Sequence, residues 1–196
     1  MTYASLAAIY RPQGRSLAGF YDLALVVGGA AGVALSAQIA VQLPFSPVPV
    51  TGQTFAVLVV GALLGPQRAI AAMLLYLMEG LAGLPVFAGG TSTIVVLAGP
   101  TGGYLIGFVV AAGIVGYLAE RGWDRNLGTT LLAMTIGTAI IFIFGVTRLA
   151  FYLAEGSALK LGLYPFIPGA VAKIVLAALL LPLGWRLPGL RDRRTP

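Results

Sequence analysis

Long apolar runs, separated by short breaks rich in Gly, Pro and polar residues, set the pattern of this chain. They fall at about 19 to 42, 53 to 64 joined to 67 to 80, 100 to 119, 127 to 154 and 166 to 186. A bilayer crossing takes about 20 apolar residues in a helix. The second run is broken by Gly65-Pro66, followed closely by Arg68. Proline cannot continue the helix it enters and glycine supplies the turn, so this run predicts two short helices around a tight turn. The pattern therefore predicts an all-α integral membrane protein with six transmembrane helices in one domain spanning 1–196. Residues 1–18 form a lead-in and 187–196 a basic tail. The apolar core of the lead-in is too short for a cleaved signal, and Leu6 to Tyr10 is read as a short interfacial turn.

Composition agrees with the pattern: 59% of residues are hydrophobic and 9% charged, against about 25% charged in soluble domains. Mean hydropathy is +0.96. The net charge of +6 matters through its placement. In a six-helix arrangement Arg11, Arg15, Arg68, Arg121, Arg125, Arg186, Arg191, Arg193 and Arg194 share one side, and only Arg148, Lys160 and Lys173 do not. The positive-inside bias then makes both termini cytoplasmic, with the 64 to 67 and 120 to 126 turns. A five-helix arrangement does not sort the charges this way. Trp123 and Trp185 fall on the cytoplasmic side, and the loops around 43 to 53, 81 to 99 and 155 to 166 on the outer one. The first outer loop, "PFSPVPVTGQTFAV", holds three prolines and a Thr-Gly-Gln-Thr cluster between two apolar runs.

The chain has no Cys and no His, which removes disulfides, thiol nucleophiles, His proton relays and His/Cys metal sites together. An enzyme built on Lys173, Glu79 or Ser46 would lack a companion base within a recognisable constellation. No basic stripe interleaved with aromatics points to nucleic acid. "GPTGGYLIGF" has the glycines of a phosphate loop but not its lysine. Gly99, Gly103 and Gly107 instead recur at the spacing that lets helices approach closely, and Pro100 suits the first turn of a helix whose N–H groups and Thr101 face outward. On the first helix Ala24, Gly28, Gly32, Ser36 and Ala40 stand four apart, with Ala30 and Ala34 on a neighbouring line. Such residues serve internal packing or the docking of a partner.

Two cations stand inside apolar runs. Lys173 lies one to two turns below the outer surface, where it either snorkels outward or marks a site. Arg148 poses the same choice, with Glu79 or Glu155 as structural partners; Glu155 is two turns along the same face.

"PVPVTGQTFAVLVVGALLGP", "LYLMEGLAGLPVFAGG", "LAGPTGGYLIGF" and "PFIPGAVAK" resemble, in order, the successive signatures of BioY, the biotin-binding S component of energy-coupling factor (ECF) vitamin transporters. The resemblance runs from about residue 20 to 185. It implies the S-component fold in the bacterial cytoplasmic membrane, binding biotin as transported ligand near the outer surface, with no cofactor or metal. It also implies a membrane T component and paired ATPases as partners, the chain itself being no enzyme. By motif match Thr51, Gln53, Phe87, Thr101, Gly102, Tyr104 and Lys173 are ligand-binding candidates. Arg148 stands beside them as a second cation for a carboxylate, and Ala30 and Ala34 as the docking face for the T component.

Three positions depart from the family pattern. The family usually has an aspartate three residues before the lysine, where this chain has Ala170. It usually has "GN" and a tyrosine where Gly137-Thr138 and Phe142 stand here. These changes bear on ligand discrimination, because a polar group built for a ligand partner discriminates strongly. A solitary permease, or a carrier for another small carboxylate, is the alternative function. No inverted repeat typical of secondary transporters is visible.

Overall fold

The computed structural model describes residues 5–154 and 156–185. The basic tail, with Arg186, Arg191, Arg193 and Arg194, and the proposed Arg148 partner Glu155 lie outside the described residues. In chain order the elements are α1 (Leu6–Ile9), α2 (Arg15–Gln38), β1 (Ala40–Val41), β2 (Val50–Thr51), α3 (Gln53–Leu64), α4 (Pro66–Leu81), a 3-10 turn (Ala88–Gly90), α5 (Ile94–Ala98), α6 (Gly102–Ala119), α7 (Leu127–Ala150), α8 (Ser157–Gly162), a second 3-10 turn (Tyr164–Phe166) and α9 (Ile167–Gly184). Every expected apolar run contains a helix of twelve residues or more. Among the described residues, four segments are long and apolar enough to cross a membrane: α2, α6, α7 and the run 157–184 that ends in α9.

The Gly65-Pro66 turn forms as expected. Gly65 takes φ 78°, ψ 171°, closing α3, and Pro66 opens α4. A side chain is disfavoured at that φ. This turn packs on α6, where a Cβ on Gly116 would meet the Pro66 nitrogen at 2.6 Å.

Helix α6 is the centre of the bundle, packed against α7, α3 and α4. Its small residues permit this. Gly61 of α3 sits on the Ala112 backbone, and Gly107 lies against Ile141 and Phe144 of α7, as Gly103 does against Phe144 and Arg148. Among lipid tails, which offer no hydrophobic drive for helix association, such close approach is where packing energy comes from. The glycine spacing read from the sequence thus serves α6–α7 contact through Gly103 and Gly107. Gly99 instead closes α5, its N–H donating to the Val95 carbonyl at 2.8 Å. Pro100 falls just before the helix, which begins at Gly102 with Thr101 as its N-cap.

The arginine-rich end is cross-linked by polar groups. Asp22 accepts from Arg11 Nη2 at 2.7 Å and Arg68 Nε at 2.7 Å, tying the lead-in and α4 to α2. Tyr21 donates to the Ala7 carbonyl at 3.0 Å, and α1 docks on α3. At the α6–α7 turn, Asp124 is 2% exposed and its Oδ2 accepts the Trp185 indole N–H at 2.7 Å, with the Arg125 guanidinium 4.1 Å above the Trp185 ring centre. Burial pushes the Asp124 carboxyl up to about 6, outweighing Trp185, its own backbone N–H and Arg125, which act the other way. Burial also raises Glu120, against the opposing charge of Arg68.

Helix α2 corrects one expectation. Ala30 is completely buried on the face turned into the bundle, where neighbouring Gly29 sits against Ala72, Leu64 and Val60, whereas Ala34 is half-buried at the margin of that face. Along the middle of α2 the exposed small residues are Ala24, Gly28, Ala31 and Gly32.

Candidate functional site

The end opposite the arginines is built of loops held by specific contacts. In the 43–52 loop, the buried Ser46 hydroxyl donates to the Leu161 carbonyl at 2.7 Å and accepts the Val48 N–H at 3.1 Å. Strands β1 and β2 pair antiparallel across the same loop, Ala40 opposite Thr51 and Val41 opposite Val50. Its three prolines stiffen a segment whose backbone groups have these partners instead of helix. The 82–101 connection is anchored as well: the Thr93 N–H donates to the Gly80 carbonyl at 2.8 Å, and Phe87 pairs with Thr91.

Two glycines create seats for aromatic rings. The Phe87 ring lies flat against Gly80 and meets Tyr76 edge-on, with centroids 5.4 Å apart and planes at 78°. The Tyr104 ring rests on Gly145, and its hydroxyl donates to the Gly162 carbonyl at 2.7 Å. Any Cβ at Gly80 or Gly145 would overlap these rings.

Between these parts lies a cavity of about 290 Å³, at the small end of the roughly 300–1,000 Å³ typical of small-molecule pockets. Its walls come from residues 47–51, Gln53, Thr54 and Leu58 of α3, Phe87 and the 88–101 connection, Tyr104, Leu105 and Phe108 of α6, Thr138, Ile141 and Phe142 of α7, Phe166, and Ala170 and Lys173 of α9. Most of the wall is apolar, with a few polar groups brought together near α3 and α9. Lys173 Nζ donates to the Thr51 carbonyl at 2.5 Å and to Thr54 Oγ1 at 2.9 Å, which joins α9 to the start of α3. Gln53, 4% exposed, donates through Nε2 to the Tyr76 hydroxyl at 2.5 Å. An apolar slot with few convergent polar groups suits a small, mainly apolar ligand that carries hydrogen-bonding functions.

Six of the expected ligand-binding residues line this one cavity: Thr51, Gln53, Phe87, Thr101, Tyr104 and Lys173. Two do not. Gly102 is packed against the Leu97 carbonyl, where a side chain has no room. Arg148 lies outside the wall; its Nη2 donates to the Ala98 carbonyl and to the Tyr152 hydroxyl at 3.1 Å. Neither Glu79 nor any other carboxylate among the described residues pairs with Arg148. All three departures from the family pattern, Ala170, Thr138 and Phe142, face the cavity. Thr54 was missed by sequence reasoning. Its signal was its place three residues after Thr51, in the first turn of α3, which brings it to the same lysine.

The architecture is that of an S component. A crystal structure of the S-component for biotin from an ECF-type ABC transporter superposes with a TM-score of 0.78 at 22% identity, covering 94% of this chain and 100% of that one. The BioY family model matches residues 12–189, and the chain belongs to the BioY family. Biotin transporter BioY of Rhizobium etli is 38% identical over 156 residues, 76% of this chain and 83% of the relative. Biotin transporter BioY of Thermotoga maritima is 38% identical over 141 residues, 71% and 82% of the two chains. A probable biotin transporter BioY of Pyrococcus horikoshii is 38% identical over 168 residues, 86% and 96%.

Proposed function

We propose that this protein is the biotin-capture subunit of an ECF-type importer, a six-span protein of the bacterial cytoplasmic membrane with both termini inside. It binds biotin with high affinity near the outer surface and releases it inside with the help of a T component and paired ATPases. The observation that carries the reading is the half-buried ammonium of Lys173 in the wall of an otherwise apolar cavity of about 290 Å³, in a chain of the BioY family. Biotin presents apolar rings and an alkyl chain to such a wall, and its urea and carboxylate oxygens to donors. Thr51, Gln53, Phe87, Thr101, Tyr104 and Lys173 form the proposed contact set. Docking of the T component falls to the free face of α2, where Gly28 and Gly32 are open, with Ala34 at its margin. Orientation rests on the arginines that share the end away from the cavity.

Ala170 in the cavity wall supports a second reading, a solitary carrier for another small carboxylate. Equilibrium binding of radiolabelled biotin to the purified protein, with desthiobiotin, lipoate and thiamine as competitors, separates the two. Saturable binding displaced only by biotin-like compounds is the expected result. Displacement by lipoate, or no binding by a monodisperse sample, sinks the biotin assignment.

A further inference from the structure

No acidic side chain lines the cavity among the described residues, and Lys173 is the one charged group in its wall. Its ammonium is held by neutral oxygens, the Thr51 carbonyl at 2.5 Å and Thr54 Oγ1 at 2.9 Å. An ammonium has three donors and no lone pair, so in this contact the Thr54 hydroxyl must accept. Its own proton is thereby left to donate, and no acceptor among the described residues takes it. Thr54 itself lines the cavity. Lys173 likewise has one N–H more than its two protein partners use. We infer that Thr54 is a ligand-binding residue, whose hydroxyl donates alongside the Lys173 ammonium to one acceptor oxygen of the ligand.

The arrangement fits a carbonyl or carboxylate oxygen, which has lone pairs for two donors, and disfavours a ligand presenting an N–H there. Resting on the biotin reading above, the inference gives two sources for that oxygen, the urea carbonyl and the carboxylate. Thr54 would also position Lys173, since loss of the hydroxyl leaves the ammonium only the Thr51 carbonyl.

The test is equilibrium binding to purified wild type, Thr54→Val and Thr54→Ser, using biotin, biotin methyl ester and 2-iminobiotin, with thermal unfolding of each variant in parallel. Valine keeps the shape and removes the hydroxyl. Hydrogen bonds to charged or ligand groups lead us to expect Thr54→Val to weaken biotin on the order of tenfold or more, and Thr54→Ser to restore it to within about threefold. The Thr54→Val penalty should shrink for the analogue altered at the contacted oxygen: the methyl ester, which removes the carboxylate charge that strengthens the bond, or 2-iminobiotin, which replaces the urea oxygen with nitrogen. Unchanged biotin affinity in Thr54→Val overturns the assignment, as does an equal loss for all three ligands, which would mark an effect through the fold. Failure of the wild type itself to bind biotin removes the biotin reading and this inference with it, whereas wild-type binding with an indifferent Thr54→Val removes the inference alone.

Discussion

Asp124 offers a sharp test of how the arginine-rich end is held together. Its carboxyl is 2% exposed and takes the Trp185 N–H at 2.7 Å, joining the α6–α7 turn to the end of α9. Burial raises its pKa from 3.8 to about 6, a displacement worth about 3 kcal/mol in the balance between its two protonation states. Because the folded pKa lies above the unfolded one, the folded protein binds the proton more tightly. The associated stability is fully present below about pH 4 and is lost as pH rises through 6. Asp124→Asn keeps a carbonyl oxygen for Trp185 and cannot ionise. Thermal unfolding in detergent between pH 4.5 and 8, followed by tryptophan fluorescence, should show wild-type stability falling across this window. Asp124→Asn should fall less, by a difference approaching about 3 kcal/mol at the alkaline end. Glu120, also raised by burial, contributes the same sign to both proteins, so the comparison isolates Asp124. Parallel pH profiles, or a wild type that gains stability over Asp124→Asn as pH rises, would refute the argument.

Three further outcomes follow from the packing and polar contacts. Lys173→Met should weaken biotin binding roughly tenfold to a hundredfold, the equivalent of about 1.5–3 kcal/mol for a hydrogen bond to a charged group; equal affinity in a titration would take Lys173 out of the site. Gly103→Ala places a methyl group against the Phe144 carbonyl and the Arg148 Cβ, and should cost about 1–3 kcal/mol in detergent unfolding, with no cost if α6 and α7 are not in contact. Asp22→Asn removes both ion pairs at a carboxylate whose side chain is 28% exposed, so its cost should be no more than about 1–2 kcal/mol and should diminish in high salt; a cost independent of salt would mean the pairs are not the cause.

The run lengths and the Gly65-Pro66 break were legible because hydropathy and missing backbone donors act locally. The same is true of Lys173, whose cost in an apolar run marks it without any knowledge of its neighbours. What stayed hidden depends on which face of a helix meets protein. Small residues recur on both sides of α2, so spacing alone did not separate the buried Ala30 from the exposed Gly28. The sequence offers Arg148 as a second cation for a ligand or as a partner of Glu79 or Glu155, whereas among the described residues it donates to the Ala98 carbonyl at the end of α5. That short helix, like α8 and the β1–β2 pair, forms where the segment is too short and too irregular for periodicity to register. Motif matching brought together six cavity residues yet passed over Thr54, whose hydroxyl contact with Lys173, 119 positions away, shows only in the fold.

The brevity of α3 shapes the interior of the bundle. Its twelve residues rise about 18 Å, well short of a hydrocarbon layer about 30 Å thick. The rest of that depth is made up by the proline-bearing loop that forms one wall of the cavity, irregular backbone that a membrane tolerates where it borders protein or water. None of the twelve residues is exposed, so helices rather than lipid surround α3. Its shortness therefore opens the bundle inward, and the depth it leaves unspanned is room for the cavity instead of a gap in the lipid-facing wall.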